Sequence, residues 1–141
     1  MQSFVDAQKE SILISKDTPL ISNLDMSENI SLIKEVHHLI STTKAKALAM
    51  ECLKKLSLED IGFKRPTQCD DTQKFYVMFI RALMCDVSTV IILDPSRLIN
   101  TLKDIKAIIE NIEVLSEKSV IILDTFSNEV HYEGCSCHIL R

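Results

Sequence analysis

Glycine, proline and long apolar runs are scarce in this chain. Only 2 glycines and 3 prolines occur among 141 residues, which excludes flexible linkers, collagen-like repeats and low-complexity tracts. No apolar stretch reaches the roughly 20 residues that a membrane-spanning helix needs. The first residues have neither a basic start nor an apolar core, so they lack the pattern of a secretory signal. We therefore expect no direct membrane insertion.

The charge pattern disfavours nucleic acid as a partner. Lys and Arg are scattered and the net charge is −4, whereas a phosphate backbone is bound by clustered cations. The five cysteines are an odd number, which fits the cytosol, where thiols stay reduced. We interpret Cys52, Cys69 and Cys85 as small, mostly buried apolar residues, and we expect a cytoplasmic protein.

The residues that are present fit one globular domain. Hydrophobic residues make up 46% and charged residues 26% of the chain, and the length suffices for a core that folds alone. Short aliphatic runs predict strands, and the run before Asp94 is continuous, as is typical of a sheet that is covered on both faces. The predicted core strands lie at about 11–14, 89–94, 119–124 and 135–140.

Amphipathic segments alternate with these strands. Polar residues suited to helix capping precede apolar residues at helical spacing. Several helices after the first strand, then strand, helix and strand, are typical of a parallel α/β sheet with a helical insertion. We place this helical subdomain at about 23–85 of a single domain that spans 1–141. Helices are predicted at about 25–40, 44–56, 71–84 and 98–116.

Two neighbouring segments carry a family resemblance. The amphipathic helix that contains Gln73 and ends in Arg81-Ala82-Leu83 is followed by an aliphatic strand closed by Asp94. This pair resembles the signature helix and the Walker B strand of an ABC transporter ATPase. Upstream, Glu28-Asn29-Ile30 resembles the start of the helix that follows the Q-loop in that family. Together with Pro19-Leu20-Ile21 and Ile80-Arg81-Ala82-Leu83, it looks most similar to importer-type and lipid-trafficking members that pair with separate membrane subunits.

The resemblance implies the fold class. It is α/β, a reduced P-loop NTPase domain of the ABC type with a small parallel sheet and a helical insertion. It implies that 89–94 lies between 11–14 and 119–124, and that the strand carrying the P-loop would flank 119–124. An exposed edge there invites pairing with another chain. We therefore expect 135–140 or a second subunit to cover it, through self-association or contact with another ABC subunit.

The signature loop departs from the family pattern. Cys69-Asp70-Asp71-Thr72-Gln73 occupies the place of Leu-Ser-Gly-Gly-Gln, and only Gln73 is retained. Glycines allow a close approach to a γ-phosphate because they lack a Cβ atom, whereas two carboxylates repel it. The alternative role for Asp70 and Asp71 is helix capping, which is usual for acidic residues in a first turn.

The other ATPase motifs are altered as well. Asp94 matches the Walker B Asp, but Pro95 stands in place of the catalytic Glu and has no proton-accepting group. Phe126 falls where the family has the switch His, and its ring cannot hydrogen-bond to phosphate. Lys16 falls where the family has the Q-loop Gln. The 15 residues before Lys16 contain no glycine, so we expect no P-loop.

Three functional hypotheses follow from this resemblance. The first is a catalytically inactive relative, not an enzyme and without a cofactor, that acts as a binding or structural subunit. It would lie at the inner face of the membrane beside a permease subunit. The second is an ATP-binding subunit that contributes half an ATPase site, with Asp94 and Gln73 acting in trans on ATP and Mg²⁺ held by another chain's P-loop. The third is a remnant without a selected function.

No metal site is expected. Asp94 is either a surviving magnesium ligand or a residue that ends a strand and caps a turn, and without phosphate partners for the metal we favour the cap. Cys135-Ser136-Cys137-His138 does not make a closed tetrahedral site, because side chains alternate along an extended strand. His37 and His38 are adjacent on a helix and point to different faces.

Apolar residues of the helical subdomain form a candidate partner surface. In the family this part docks onto coupling helices of the membrane subunit, and exposed apolar side chains would serve that contact. The alternative is packing within the domain. The candidate residues are Met26, Ile30, Leu39 and Ile40.

Overall fold

The computed structural model describes residues 11–100, 102–116 and 118–135. The predicted strand at 135–140 lies outside the described residues except for Cys135, as do Cys137 and His138 of the possible metal motif. Across the described residues, none of the helices has the length and apolarity needed to cross a bilayer.

Within residues 11–135, apart from the two that are not described, three strands form one parallel sheet with the order β1-β2-β3. Leu13 pairs with Ile91, and Ile91 pairs with Ile121, so the strands are in register. The prediction that 89–94 is the middle strand is confirmed. Within the described part of the chain, the outer edge of the last strand is unpaired. The strands are β1 (Ser11–Ile14), β2 (Thr89–Leu93) and β3 (Ser119–Leu123).

Among the described residues, four α-helices accompany the sheet, and three of them lie between β1 and β2 as predicted. The helices α1 and α3 begin with capping boxes, because the side chains of Asp25 and Asp70 accept hydrogen bonds from backbone N–H groups three residues later. Ser41 caps α2. The helices are α1 (Met26–His37), α2 (Thr42–Lys55), α3 (Asp71–Leu83) and α4 (Ile105–Leu115).

The helix predicted at 98–116 begins later than expected. Pro95–Arg97 forms a 3₁₀ turn directly after β2, Leu102–Asp104 forms a second one, and α4 starts only at Ile105. Ile99 and Leu102 are buried all the same. Their spacing in the sequence resembles that of a helix, but short turns bring them into the core. The predicted start of this helix at 98 is therefore wrong.

α3 lies at the centre of the molecule. The residues from Phe75 to Ile80 are all buried, and a helix that is apolar on all sides belongs in a core. One buried cluster joins α3 and α4 to the sheet, and another joins α3 to α1 and α2. The packing order is therefore the sheet, then α3, then α1 and α2.

One face of the sheet is covered and the other is open within the described part of the chain. Successive side chains of a strand point to opposite faces of the sheet, so neighbours in the sequence differ in burial. The expectation that both faces are covered is wrong for the described residues. On the covered face, three side chains are at most 2% exposed: Ile14, Val90 and Ile92. On the open face, four are 37–46% exposed: Leu13, Leu93, Ile121 and Leu123.

Candidate functional site

The carboxyl ends of the three strands meet at one edge of the sheet, where open α/β sheets bind their ligands. Lys16 follows β1, Asp94 follows β2, and Phe126 lies in the turn after β3. The structure therefore brings three of the sequence-predicted positions to the same edge. The signature-like residues lie at the start of α3, and one of them, Asp71, lines a cavity that Lys16 also borders.

Asp94 has a constrained backbone. Its φ of 51° and ψ of 64° are left-handed, a region that non-glycine residues rarely adopt and that a following proline disfavours further. Such conformations cost on the order of 1–3 kcal/mol and persist only when their surroundings hold them. Here the Asp94 N–H donates to the Leu123 carbonyl at 2.9 Å, and one carboxylate oxygen lies 3.6 Å from Arg97 Nε.

Pro95 is buried and is the first residue of the 3₁₀ turn. Its carbonyl accepts hydrogen bonds from the N–H groups of Leu98 and Ile99 at 2.9 and 3.0 Å. A proline fits this position because a first helical residue does not need its N–H. The residue after the Walker B-like Asp is thus part of the scaffold, and its side chain can neither accept nor donate a proton.

The turn after β3 is organised by Asp124. Its Oδ1 accepts hydrogen bonds from the Thr125 N–H at 2.7 Å and from Asn128 Nδ2 at 2.8 Å, while its Oδ2 accepts one from the Tyr132 hydroxyl at 2.7 Å. Phe126, at the switch position, is 77% exposed. The carboxylate at this strand end is therefore occupied by the turn, and the exposed ring offers only apolar contact.

Lys16 lies in a tight turn at the end of β1. The Thr18 Oγ1 accepts from the Ser15 N–H at 3.0 Å, and the Ser15 Oγ accepts from the Asp17 N–H at 3.1 Å. The Lys16 side chain is exposed and borders an open cavity of about 300 Å³. The charged side chains that line this cavity are Lys16, Asp71, Lys74 and Arg97.

The signature-like residues serve the start of α3. Asp70 Oδ1 accepts from the Gln73 N–H at 2.8 Å, and Gln73 Oε1 accepts from the Asp70 N–H at 3.0 Å. Asp71 forms an ion pair with Lys74 at 3.2 Å. Gln73, the one residue that matches the family motif, thus has its side-chain oxygen in a capping box. Asp70 takes the capping alternative that sequence reasoning left open, and Thr72 lies between these groups in the first turn.

Burial raises the pKa of three thiols. It is the largest cause for Cys52, Cys69 and Cys85, and it outweighs the nearby lysines, including Lys118 beside Cys85. Protonated thiols are poor nucleophiles and poor metal ligands. In the described ranges, no group of three or more His, Cys, Asp or Glu side chains is placed to hold a metal ion.

Two further residues organise this region, and sequence reasoning missed their roles. Arg81 reaches from α3 to the turn after β1, where Nη1 donates to the Pro19 carbonyl at 3.0 Å and Nη2 to the Thr18 carbonyl at 2.6 Å. Burial lowers the pKa of the Arg81 guanidinium. The available signal was a single arginine within an otherwise buried helix, since such a charge needs partners.

Asn29 is the second of these residues and is 2% exposed. Its Oδ1 accepts from the Ile21 N–H at 2.7 Å, and its Nδ2 lies within donating distance of the carbonyls of Ile21, Leu24 and Asp25 at 3.0–3.3 Å. The neighbouring Glu28 accepts from the Asp25 N–H in the capping box of α1. The Glu-Asn pair that resembles the family is therefore structural.

The candidate partner surface is only partly exposed. Met26 and Ile30 are 0% exposed and pack in the cluster of α1, α2 and α3, so their assignment to an exposed surface is wrong: helical spacing does not distinguish the two sides of α1. Leu39 is 89% exposed and has a left-handed φ of 52°. Ile40 is half-buried. Two residues not assigned to this surface from the sequence are exposed on α1: Leu32 and Val36.

No protein-family model matches the chain, and no curated protein matches it either. A solved structure does match: the ATP-binding cassette MJ0796, in a dimeric post-hydrolysis state bound to ADP and Pi. The TM-score is 0.66 with 22% sequence identity over 91% of this chain. The chain spans 58% of the length of that structure. The protein has the α/β fold of an ATP-binding cassette domain in reduced form, with a small parallel sheet and accompanying helices.

Proposed function

We propose that this protein is a catalytically inactive relative of ABC ATPases that acts as a binding or structural subunit of a membrane transport complex. In this proposal it lies in the cytoplasm at the inner face of the membrane, contacts a permease subunit and needs no cofactor. It acts through protein–protein contacts and has the fold of an ABC ATPase domain without hydrolysing nucleotide.

The residue after Asp94 carries the proposal. Hydrolysis of a phosphoanhydride needs a group that orients and deprotonates water, and Pro95 places a buried ring at that position. The ring also suits the local backbone, because the first residue of a 3₁₀ turn does not need its N–H. The substitution is thus integrated into the local structure.

Two other positions support the same proposal. At the start of α3, Asp70 and Asp71 put negative charge where the family presents glycine amides to a γ-phosphate, and like charges repel. At the end of β3, Phe126 is 77% exposed and offers no hydrogen bond to a phosphate. Each change alone weakens nucleotide binding or hydrolysis, and together they remove the polar contacts that the reaction uses.

Exposed apolar residues at the end of α1 support a protein contact. Leu39 is 89% and Val36 is 59% exposed, and Leu32 lies one helical turn before Val36 on the same side. A leucine in a left-handed conformation costs roughly 1–2 kcal/mol. Leu39 has this conformation directly after the end of α1, where helices commonly end in a left-handed residue, and its exposed side chain is available for contact with a partner.

The first test is isothermal titration of the purified chain with ATP and Mg²⁺. We expect no heat of binding at micromolar nucleotide, and no difference between the wild type and an Asp94→Asn variant. Binding heat at micromolar ATP that Asp94→Asn reduces would contradict the proposal, because it would place the nucleotide at the end of β2.

The second test concerns the partner. Affinity purification from the source cells should recover a membrane permease with the wild-type chain and lose it with Leu39→Glu. Val114→Glu is the matched control, since Val114 is 67% exposed on a different helix, α4. Recovery of the same permease by the Leu39→Glu variant would sink the assignment of this surface.

A second candidate function is half an ATPase site completed by another chain. It is favoured by the retained Asp94, whose side chain is 36% exposed. In this version another polypeptide holds ATP and Mg²⁺ on its P-loop, and Asp94 and Gln73 act in trans. ATPase activity that appears only on mixing the two chains supports it. Mixed activity that survives Asp94→Asn unchanged rules it out.

A further inference from the structure

The cavity beside Lys16 has a surplus of positive charge. It measures about 300 Å³ and is lined by three cations, Lys16, Lys74 and Arg97, and by one carboxylate, Asp71. The chain as a whole has a net charge of −4. A concave site lined mostly by one sign of charge raises the local concentration of the opposite ion. This cavity, which we call the cationic cavity, therefore attracts anions to an otherwise acidic protein.

Four separate segments build the cationic cavity. Ser15 and Lys16 come from the turn after β1, Pro66 from the 3₁₀ turn before α3, Lys74 from α3, and Arg97 from the turn after β2. Open α/β sheets bind their ligands beyond the carboxyl ends of their strands, and this cavity lies there. Small-molecule pockets have volumes of about 300–1,000 Å³. The position and the volume therefore fit a small ligand.

Lys16 and Arg97 keep donors that a ligand can use. Among the described residues, no ion pair or hydrogen bond engages the Lys16 side chain. The Arg97 Nε lies 3.6 Å from an Asp94 carboxylate oxygen, which leaves both Nη groups for another partner. A guanidinium presents its donors as a planar fork that matches the two oxygens of a carboxylate.

Ser15 adds a buried hydroxyl to the same lining. The residue is 3% exposed, and its Oγ accepts a hydrogen bond from the Asp17 N–H at 3.1 Å. None of the hydrogen bonds within the described ranges uses this hydroxyl as a donor. Because a hydroxyl donates and accepts at once, Ser15 can donate to a bound anion and still accept from Asp17.

The remaining lining of the cationic cavity is apolar. Met78 is 6% exposed on α3, and Pro66 is buried. The prolines restrict the backbone because their rings fix φ. Apolar walls beside a few polar donors are typical of sites for small organic molecules. The apolar residues of this lining, called the apolar wall below, are Pro19, Leu20, Pro66, Met78 and Leu98.

The arrangement of charges favours a monoanion over phosphate. Asp71 pairs with Lys74 at 3.2 Å, and Asp94 lies 3.6 Å from Arg97. Of the three cations, Lys16 is thus the one without a carboxylate partner among the described residues. Asp71 and Asp94 repel a dianion more strongly than a monoanion. A single carboxylate group therefore matches both the charge of this cavity and the Arg97 fork.

We propose that the cationic cavity binds a small organic monocarboxylate. Its carboxylate group lies against Lys16, Arg97 and the Ser15 hydroxyl, and its hydrocarbon part lies against the apolar wall. The described lining residues include none of α1, so this site is separate from the candidate partner surface. Binding of a monocarboxylate here does not depend on whether the protein hydrolyses ATP or contacts a permease.

NMR titration of the isotope-labelled full chain tests this proposal. The probes are the straight-chain monocarboxylates from propanoate to octanoate, together with benzoate, and the comparison compounds are hexanol and inorganic phosphate. We expect at least one monocarboxylate to shift the backbone amide signals of Lys16 and Arg97 saturably at millimolar concentration. Hexanol should cause no saturable shift because it lacks the charge, and phosphate should bind more weakly than the best monocarboxylate.

Charge variants locate the binding site. Arg97→Gln should weaken binding of the best monocarboxylate at least about 10-fold, because charged donors are lost. Lys106→Gln, at an exposed lysine of α4, is the matched control and should leave the affinity unchanged. Asp71→Asn should strengthen binding roughly 2- to 5-fold, because it removes a repelling charge and releases Lys74. Circular dichroism checks that each variant is folded, and Lys16→Gln replaces Arg97→Gln if the latter unfolds.

Five results of these titrations would overturn the proposal. The first two are the absence of a saturable shift with every monocarboxylate and equal binding of hexanoate and hexanol. The third is tighter binding of phosphate than of every monocarboxylate. The last two are equal affinities of the wild type and the folded Arg97→Gln or Lys16→Gln variant, and weaker binding by Asp71→Asn.

Discussion

The two faces of the sheet have the same chemistry but different surroundings. Ile92 on β2 is 1% exposed beneath α3 and α4, whereas Ile121 on β3 is 46% exposed on the open face. Both are isoleucines in parallel strands of one sheet. The difference shows that these strands have a sequence suited to two covering layers, while the described chain supplies one. In the described part of the chain, large aliphatic side chains of this sheet are therefore exposed on one face and buried on the other.

The largest expected effect comes from truncating one isoleucine on each face. Ile92→Ala removes buried methylene groups and leaves a cavity, so it should lower the free energy of unfolding by about 2–5 kcal/mol. Ile121→Ala should cost below about 1 kcal/mol, as is usual for exposed positions. Urea denaturation of both variants measures the difference. Equal losses would break the comparison, because they would mean that the open face is buried in solution.

A smaller effect is expected from the hydrogen bonds that join α3 to the turn after β1. Arg81 donates from α3 to the carbonyls of Thr18 and Pro19 after β1. Hydrogen bonds to charged groups contribute about 1.5–3 kcal/mol, so Arg81→Ala should lower the free energy of unfolding by about that amount. Arg81→Lys keeps the charge but not the fork of two donors. Its free energy of unfolding should therefore lie between those of the wild type and Arg81→Ala. Wild-type stability of Arg81→Lys would show that the charge alone matters.

Much of this architecture could be predicted from the sequence. Aliphatic runs gave the three strands and, with the family resemblance, their order, while Asp70 before an apolar segment gave the start of α3. These features follow from local patterns that physical chemistry links to one structure. The turns that bring Ile99 and Leu102 into the core mimic helical spacing, which is why α4 was predicted too long.

The rest of the site depends on contacts between distant segments. A continuous aliphatic run predicts two covered sheet faces but does not indicate which segment covers each one, so the open face of the described residues could not be predicted from the sequence. The left-handed backbone of Asp94 depends on its hydrogen bond to Leu123, about 30 residues away in the chain. Helical spacing likewise places Met26 and Leu39 in one apolar pattern, although one is 0% and the other 89% exposed.

A third prediction concerns the N-terminus of α3. Asp70→Ala removes the capping box of α3 and should cost about 1 kcal/mol. Asp71→Ala is the matched control one residue later, where only an exposed ion pair with Lys74 is lost, and it should cost below about 0.5 kcal/mol. Thermal unfolding followed by circular dichroism distinguishes them. If both variants melt at the same temperature, the capping box of α3 contributes nothing to the stability of the protein.

The smallest effect is expected at the exposed link between α1 and the loop before β2. His38 Nε2 lies 2.8 Å from Asp86 Oδ2, and the hydrogen bond from His38, then its charge, lowers the pKa of Asp86. A carboxyl group whose pKa is lower in the folded state stabilises the fold above its unfolded pKa, and this contribution is lost as the pH falls through the folded value. The carboxylate is exposed, so the effect is small. The melting temperatures of wild type and Asp86→Ala should therefore differ slightly at neutral pH and converge in acid, as the pH falls through the lowered pKa of Asp86. A difference in melting temperature that persists in acid would mean that Asp86 contributes through packing and not through its charge.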